Sequence, residues 1–175
     1  MIMSTIITGA ILILSTVGIL FFFIFINTQK NKKRRKALLN TFNQAGADKG
    51  LTFSSQEVLT EKIIGLDGLH HKLLIFEFNN SNTIIHINLD DVKNCSFKKE
   101  YIHVNFGNEK KADIERQLGS IGLEFSFKNS SEPFFLSFYN DNTNSIYDMA
   151  DLETKVKNWE IMLSKMISKD IKVRA

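Results

Sequence analysis

Cysteine and proline are almost missing from this sequence. A single cysteine, Cys95, excludes a disulfide framework within the chain, and a lone free thiol suits a reducing compartment. A single proline, Pro133, excludes a proline-rich linker or stalk. Acidic residues are missing from one long stretch, since none precedes Asp48. A glycine-rich phosphate loop is missing too: Gly65-Leu66-Asp67-Gly68 has turn composition and lacks P-loop spacing.

Charge is present but unevenly spread. The chain holds 22 basic and 19 acidic residues, a net of +3. Six of the basic residues, Lys30, Lys32, Lys33, Arg34, Arg35 and Lys36, fall within seven positions. Without them, residues 37–175 carry 16 basic against 19 acidic side chains. A net of −3 argues against nucleic acid as the partner of that part. Asn, Lys, Ile and Phe are abundant, a usage typical of AT-rich bacterial coding sequence.

Residues 5–26 form an uncharged run of 22, fifteen of them Ile, Leu, Val or Phe. As a helix it would extend about 33 Å, enough for a bilayer core of about 30 Å. Its apolar side chains would favour insertion by roughly 6 kcal/mol. A cleaved signal peptide would need a basic start, a shorter core and a small-residue cleavage site. The sequence therefore predicts an uncleaved single-span anchor over residues 1–27. All six clustered cations follow the span, which predicts an inner-membrane protein with its N-terminus outside and its C-terminal domain cytoplasmic. The same six residues are candidates for contact with anionic lipid headgroups, beside the simpler role of setting topology.

Leu38, Leu39, Phe42 and Ala45 recur at helical spacing and Gly50 suits a helix end. Residues 28–50 thus read as a basic juxtamembrane segment and connector helix, with a break expected near Asn27 to Gln29. Residues 51–175 read as a β domain closed by a helix. Apolar runs at 58–66 and 72–78 flank a turn at 67–70. A second turn at Asn79 to Asn82 precedes Thr83 to Leu89, with Ile85, Ile87 and Leu89 on one face. Cys95 to Lys99 and Tyr101 to Phe106 follow as two short strands. Residues 107–118 are polar and read as a loop. Ile121, Leu123, Phe125 and Phe127 alternate with polar residues and face Phe134, Leu136 and Phe138 across a turn, a hairpin with one apolar face. From Asp148 to Ser168, Met149, Leu152, Val156, Trp159, Leu163 and Met166 step by three and four. That is an amphipathic helix with Ser145 as its N-terminal cap. The predicted fold class is α+β, mainly β. It comprises an N-terminal transmembrane helix, a connector helix, about seven antiparallel strands in a curved sheet or partly open barrel, and a C-terminal helix.

This order of elements, with a tryptophan in Lys157-Asn158-Trp159-Glu160-Ile161-Met162-Leu163, resembles the pleckstrin-homology-like fold over about residues 55–168. The resemblance implies two near-orthogonal sheets and a helix over one open corner. Lipid-binding members of that family carry Lys and Arg around the first hairpin. The corresponding run here, 62–76, offers only Lys62, Lys72, His70 and His71, so the resemblance points to protein binding or scaffolding. Cystatin-like and helix-grip folds also join a curved sheet to a long helix.

Few residues suggest chemistry. His70 and His71 are adjacent, and His86 and His103 each lie opposite apolar neighbours in their strands; neither pattern makes a metal site. Cys95 with His103 is the only candidate nucleophile and base, against the simpler role of Cys95 as core filling. Asp90 and Asp91 suit a turn. Tyr101, Phe135 and Tyr139 alternate away from apolar faces and would form a partner-binding patch, unless a helix covers them. The sequence thus predicts a membrane-anchored, noncatalytic binding or scaffolding module without cofactor or metal. Its partner is a protein or the membrane surface; the alternatives are a lipid or small ligand in the barrel mouth, or an enzyme of unrecognised type.

Overall fold

A computed structural model describes residues 2–78, 83–104 and 115–173. The chain divides into two compact units, Met1–Asp48 and Lys49–Ala175. The first unit is one helix, α1 (Ile2–Ala47). It runs without a break through Asn27 to Gln29, so the expected anchor and connector segments form one helix. Within it Phe42 is fully buried and Leu38, Leu39 and Ala45 are half-buried. The six clustered basic residues are all exposed.

Among the described residues no helix is long and apolar enough to cross a membrane. This overturns the single-span anchor, the integral association with a membrane, and the inner-membrane placement with the N-terminus outside and a cytoplasmic domain. From Thr28 onward the described surface of α1 carries amides and six exposed cations in place of an apolar face.

The second unit holds two antiparallel sheets. Strands β1 (Ser55–Val58), β2 (Lys62–Asp67), β3 (Lys72–Glu77) and β4 (Thr83–Asn88) form the first, in sequence order. Strands β5 (Val92–Val104), β6 (Glu115–Phe127) and β7 (Phe134–Asn140) form the second. A 3-10 turn, Leu89–Asp91, separates them. Asn88 caps it by accepting from Asp90 N–H, and Leu89 N–H donates to His71 O at 2.8 Å. The chain is thereby deflected, and β5 pairs with β6 in place of β4. Neither sheet closes, which corrects the expected single curved sheet or partly open barrel.

Helix α2 (Met149–Val173) follows a 3-10 turn, Ile146–Asp148, capped by Ser145. It packs on β5, β6 and β7. Leu152, Val156, Trp159, Leu163 and Ile167 are its buried stripe, the period-3.6 pattern of a helix with one covered face. They join Ile64, Leu66, Leu73, Ile75 and Ile87 of the first sheet and Ile121, Leu123, Phe125 and Leu136 of the second in one core.

Register explains two features of the second sheet. Leu123 pairs with Leu136 and Phe125 with Phe134, with the two phenyl rings 6.1 Å apart. Between Ile121 and Gly122 the register shifts by one residue, so Tyr139 pairs with Ile121. Gly122 lies against the backbone of β7. A Cβ there would meet Leu136 O at 2.2 Å and the Phe135 ring at 2.9 Å, so only glycine permits this pairing.

Candidate functional site: a cleft at the junction of the two sheets

The β2–β3 corner is built around Asp67, which is fully buried. Its Oδ1 accepts from the N–H groups of Leu69 and His70, each at 3.0 Å. Its Oδ2 accepts from Thr52 N–H at 2.8 Å and lies 2.8 Å from His70 Nδ1. Burial alone would raise the Asp67 pKa. The His70 ring and the three backbone N–H groups outweigh burial and hold it well below the usual carboxylate value. An ionised carboxylate only accepts, so His70 Nδ1 carries the proton. His71, the next residue, adopts left-handed backbone (φ 53°) and places its Nδ1 3.1 Å from Asp90 Oδ1. The corner is thus tied to the 3-10 turn by one main-chain bond and one side-chain pair.

Beside this corner lies a cleft of about 440 Å3. It is lined by Lys49, Leu51, Lys72, His86, Ile87, Asn88, Asp91 and Phe127. The register of β3 and β4 sets Lys72 opposite Asn88 and Leu74 opposite His86. Val92 pairs with Phe127, and Lys128 N–H donates to Asp91 O at 2.8 Å, which carries the end of β6 to the cleft wall. Lys49 and Leu51 flank Gly50, whose φ of 69° is the left-handed conformation glycine adopts freely. Leu51 and Ile87 are buried and Phe127 is half-buried, giving an apolar floor under a polar rim.

The rim is cationic. The His86 pKa is lowered, first by burial and then by the charges of Lys49 and Lys72. Among the described residues neither lysine has an ion-pair partner. Among the described residues Asp91 is the one carboxylate of the lining, and its Oδ2 accepts from Asn88 Nδ2 at 3.1 Å.

The other sequence candidates are not brought together. Tyr101 is 54% exposed on β5, Phe135 is half-buried on β7, and Tyr139 is only 3% exposed. Strands β5 and β7 are opposite edges of the second sheet, and the register shift at Phe138 turns Tyr139 into the core. Cys95 and His103 lie eight residues apart on the same strand, which separates them by about 26 Å. Cys95 is buried, and burial, followed by the Glu160 carboxylate, pushes its thiol up to about 12; a thiol so protonated is a poor nucleophile. His86 and His103 belong to different sheets, and the His103 side chain lies outside the described residues, as do the Asn79 to Asn82 turn and most of the 107–118 loop. Among the described residues no three His, Cys, Asp or Glu side chains gather as metal ligands would. The six basic residues of α1 are placed on an exposed helix segment.

The sequence reasoning missed the cleft because its lining comes from five separate segments between residues 49 and 127. Only Lys72 in the first hairpin and the histidine within β4 carried a local signal. No family model, no curated protein and no solved structure matches this chain.

Proposed function

We propose that residues 49–175 act as a noncatalytic binding module whose ligand site is the cleft between the end of β4 and the end of β6. One observation carries this reading: a cavity of about 440 Å3 with an apolar floor and a few polar groups at its rim. That size and that mixture are typical of small-molecule sites. The pleckstrin-homology-like resemblance agrees with a binding role, since that architecture is a scaffold for recognition rather than for one reaction. Protein-observed NMR of the full chain with a fragment mixture tests it. Shifts concentrated on Leu51, Lys72, Ile87 and Phe127 are expected. Shifts confined to other surfaces, or turnover of a fragment, would refute the reading.

A second reading is docking of a protein segment along β5. It is favoured by Tyr101 and Ile102, 54% and 43% exposed side by side, on a strand that pairs only with β6 among the described residues. An edge strand offers unpaired backbone groups to a partner strand. Under this reading Tyr101→Glu removes a partner that wild type recovers and leaves fragment binding at the cleft unchanged.

A further inference from the structure

We infer that the cleft selects a small amphipathic anion, a phosphate- or carboxylate-headed molecule with a short apolar body. The inference rests on the binding-module reading above and adds the ligand class. Its basis is the contrast between rim and floor. Lys49 and Lys72 border the same histidine, and neither ammonium is matched by a carboxylate among the described residues. Asp91 supplies one negative charge to the lining, and Asn88 already engages it. The neighbouring Asp90 is taken by His71, and the Lys128 ammonium donates to Asp90 O. With His86 neutral, the described lining residues carry a net charge of +1, from Lys49, Lys72 and Asp91.

Two unmatched cations beside a semi-enclosed cavity strengthen attraction for an anion relative to open water. Asn88 Nδ2 and the His86 ring add donors or acceptors at the rim. Leu51, Ile87 and Phe127 would cover the apolar body of such a ligand, whereas a bare inorganic anion would leave that floor wet. An alkyl or aromatic phosphate therefore fits better than phosphate itself, and a neutral alcohol of the same length forgoes the cationic rim.

The test uses the full chain and three probes: inorganic phosphate, hexyl phosphate and hexanol. The readout is the titration of the His86 ring by NMR. An anion seated between Lys49 and Lys72 offsets their charges and moves the His86 midpoint upward. Hexyl phosphate is expected to bind more tightly than phosphate or hexanol and to raise that midpoint. The Lys49→Gln/Lys72→Gln variant should bind hexyl phosphate about tenfold more weakly or worse. Undiminished affinity in that variant, or a midpoint that does not move at saturation, would overturn the inference. Equal binding of hexanol and hexyl phosphate, with shifts at Ile87 and Phe127, would remove the anion preference and leave the binding module standing. Absence of any response at the lining residues to all three probes would remove both.

Discussion

The lysines along α2 and those around the cleft belong to the same domain, yet they meet different surroundings. On the α2 side Lys99 and Lys157 share Glu153 at 2.8 and 2.7 Å. Lys155 lies 3.1 Å from Asp151 and 3.3 Å from Glu57. Lys99 and Lys157 also sit 5.7 and 5.5 Å from the Phe97 ring centre. The Lys99–Glu153 and Lys155–Glu57 pairs fasten the helix to β5 and β1, and the other two brace the helix itself. At the cleft, Lys49 and Lys72 have no such partners among the described residues, so their charge remains available to a ligand. The Asp67 corner marks the opposite extreme, a buried charge with four donors around it. Whether a charge is buried and matched, half-buried and matched, or unmatched decides if it holds the fold or recognises something else.

The largest effect should come from the buried, matched charge. Asp67→Ala strands the N–H groups of Thr52, Leu69 and His70 with no acceptor, and should cost on the order of 3 kcal/mol or more in denaturant unfolding. A loss below about 1 kcal/mol would mean that water replaces the carboxylate easily and that the corner is not a structural hub. The pH dependence follows from the same group. The folded pKa of Asp67 lies below its ordinary value of 3.8, so its stabilisation is complete above that value. It is lost as pH falls further and the carboxylate is protonated toward its folded pKa. Asp67→Asn should flatten this acid limb of the stability curve, and an unchanged limb would assign it to other carboxylates.

The half-buried, matched pairs come next. Glu153→Gln removes the acceptor shared by Lys99 and Lys157 and should cost less than about 1 kcal/mol, an effect that shrinks in high salt. The Glu153 pKa is lowered, first by Lys157 and then by Lys99, so the small contribution is present above 4.5 and fades as pH falls below it. A loss as large as that of Asp67→Ala would erase the distinction between the two classes. The smallest effect on stability belongs to the unmatched lysines. Lys49→Gln/Lys72→Gln should leave the unfolding midpoint essentially unchanged and move the His86 titration up toward 6.5, as NMR would report. Clear destabilisation by this variant would show that the lysines hold the fold and would break the comparison.

Much of the local structure was legible because it rests on periodicity. The stripe from Leu152 to Leu163 named the buried face of α2, and the alternation through Ile121 and Phe125 named the hairpin of β6 and β7. Boundaries were less legible. Residues 58–66 read as one run, yet Leu59 N–H donates to Lys62 O and a turn without glycine or proline splits β1 from β2. Conversely, the polar Glu100 read as a break, whereas β5 continues through a bulge there. The two errors cancel, so an expected count of about seven strands conceals a different division. Tyr139 read as outward because strict alternation cannot foresee an extra residue at Phe138.

By itself, the sequence determined which residues are apolar at helical or strand spacing, that no disulfide forms within the chain, and that the net positive charge is confined to residues 30–36. These are properties of neighbours along the chain, and local sterics and side-chain spacing express them directly. Only the tertiary structure decided where the sheet breaks and that Lys49, Lys72, His86 and Phe127 border one cavity. Those outcomes depend on register and on contacts between residues tens of positions apart, which no local pattern encodes.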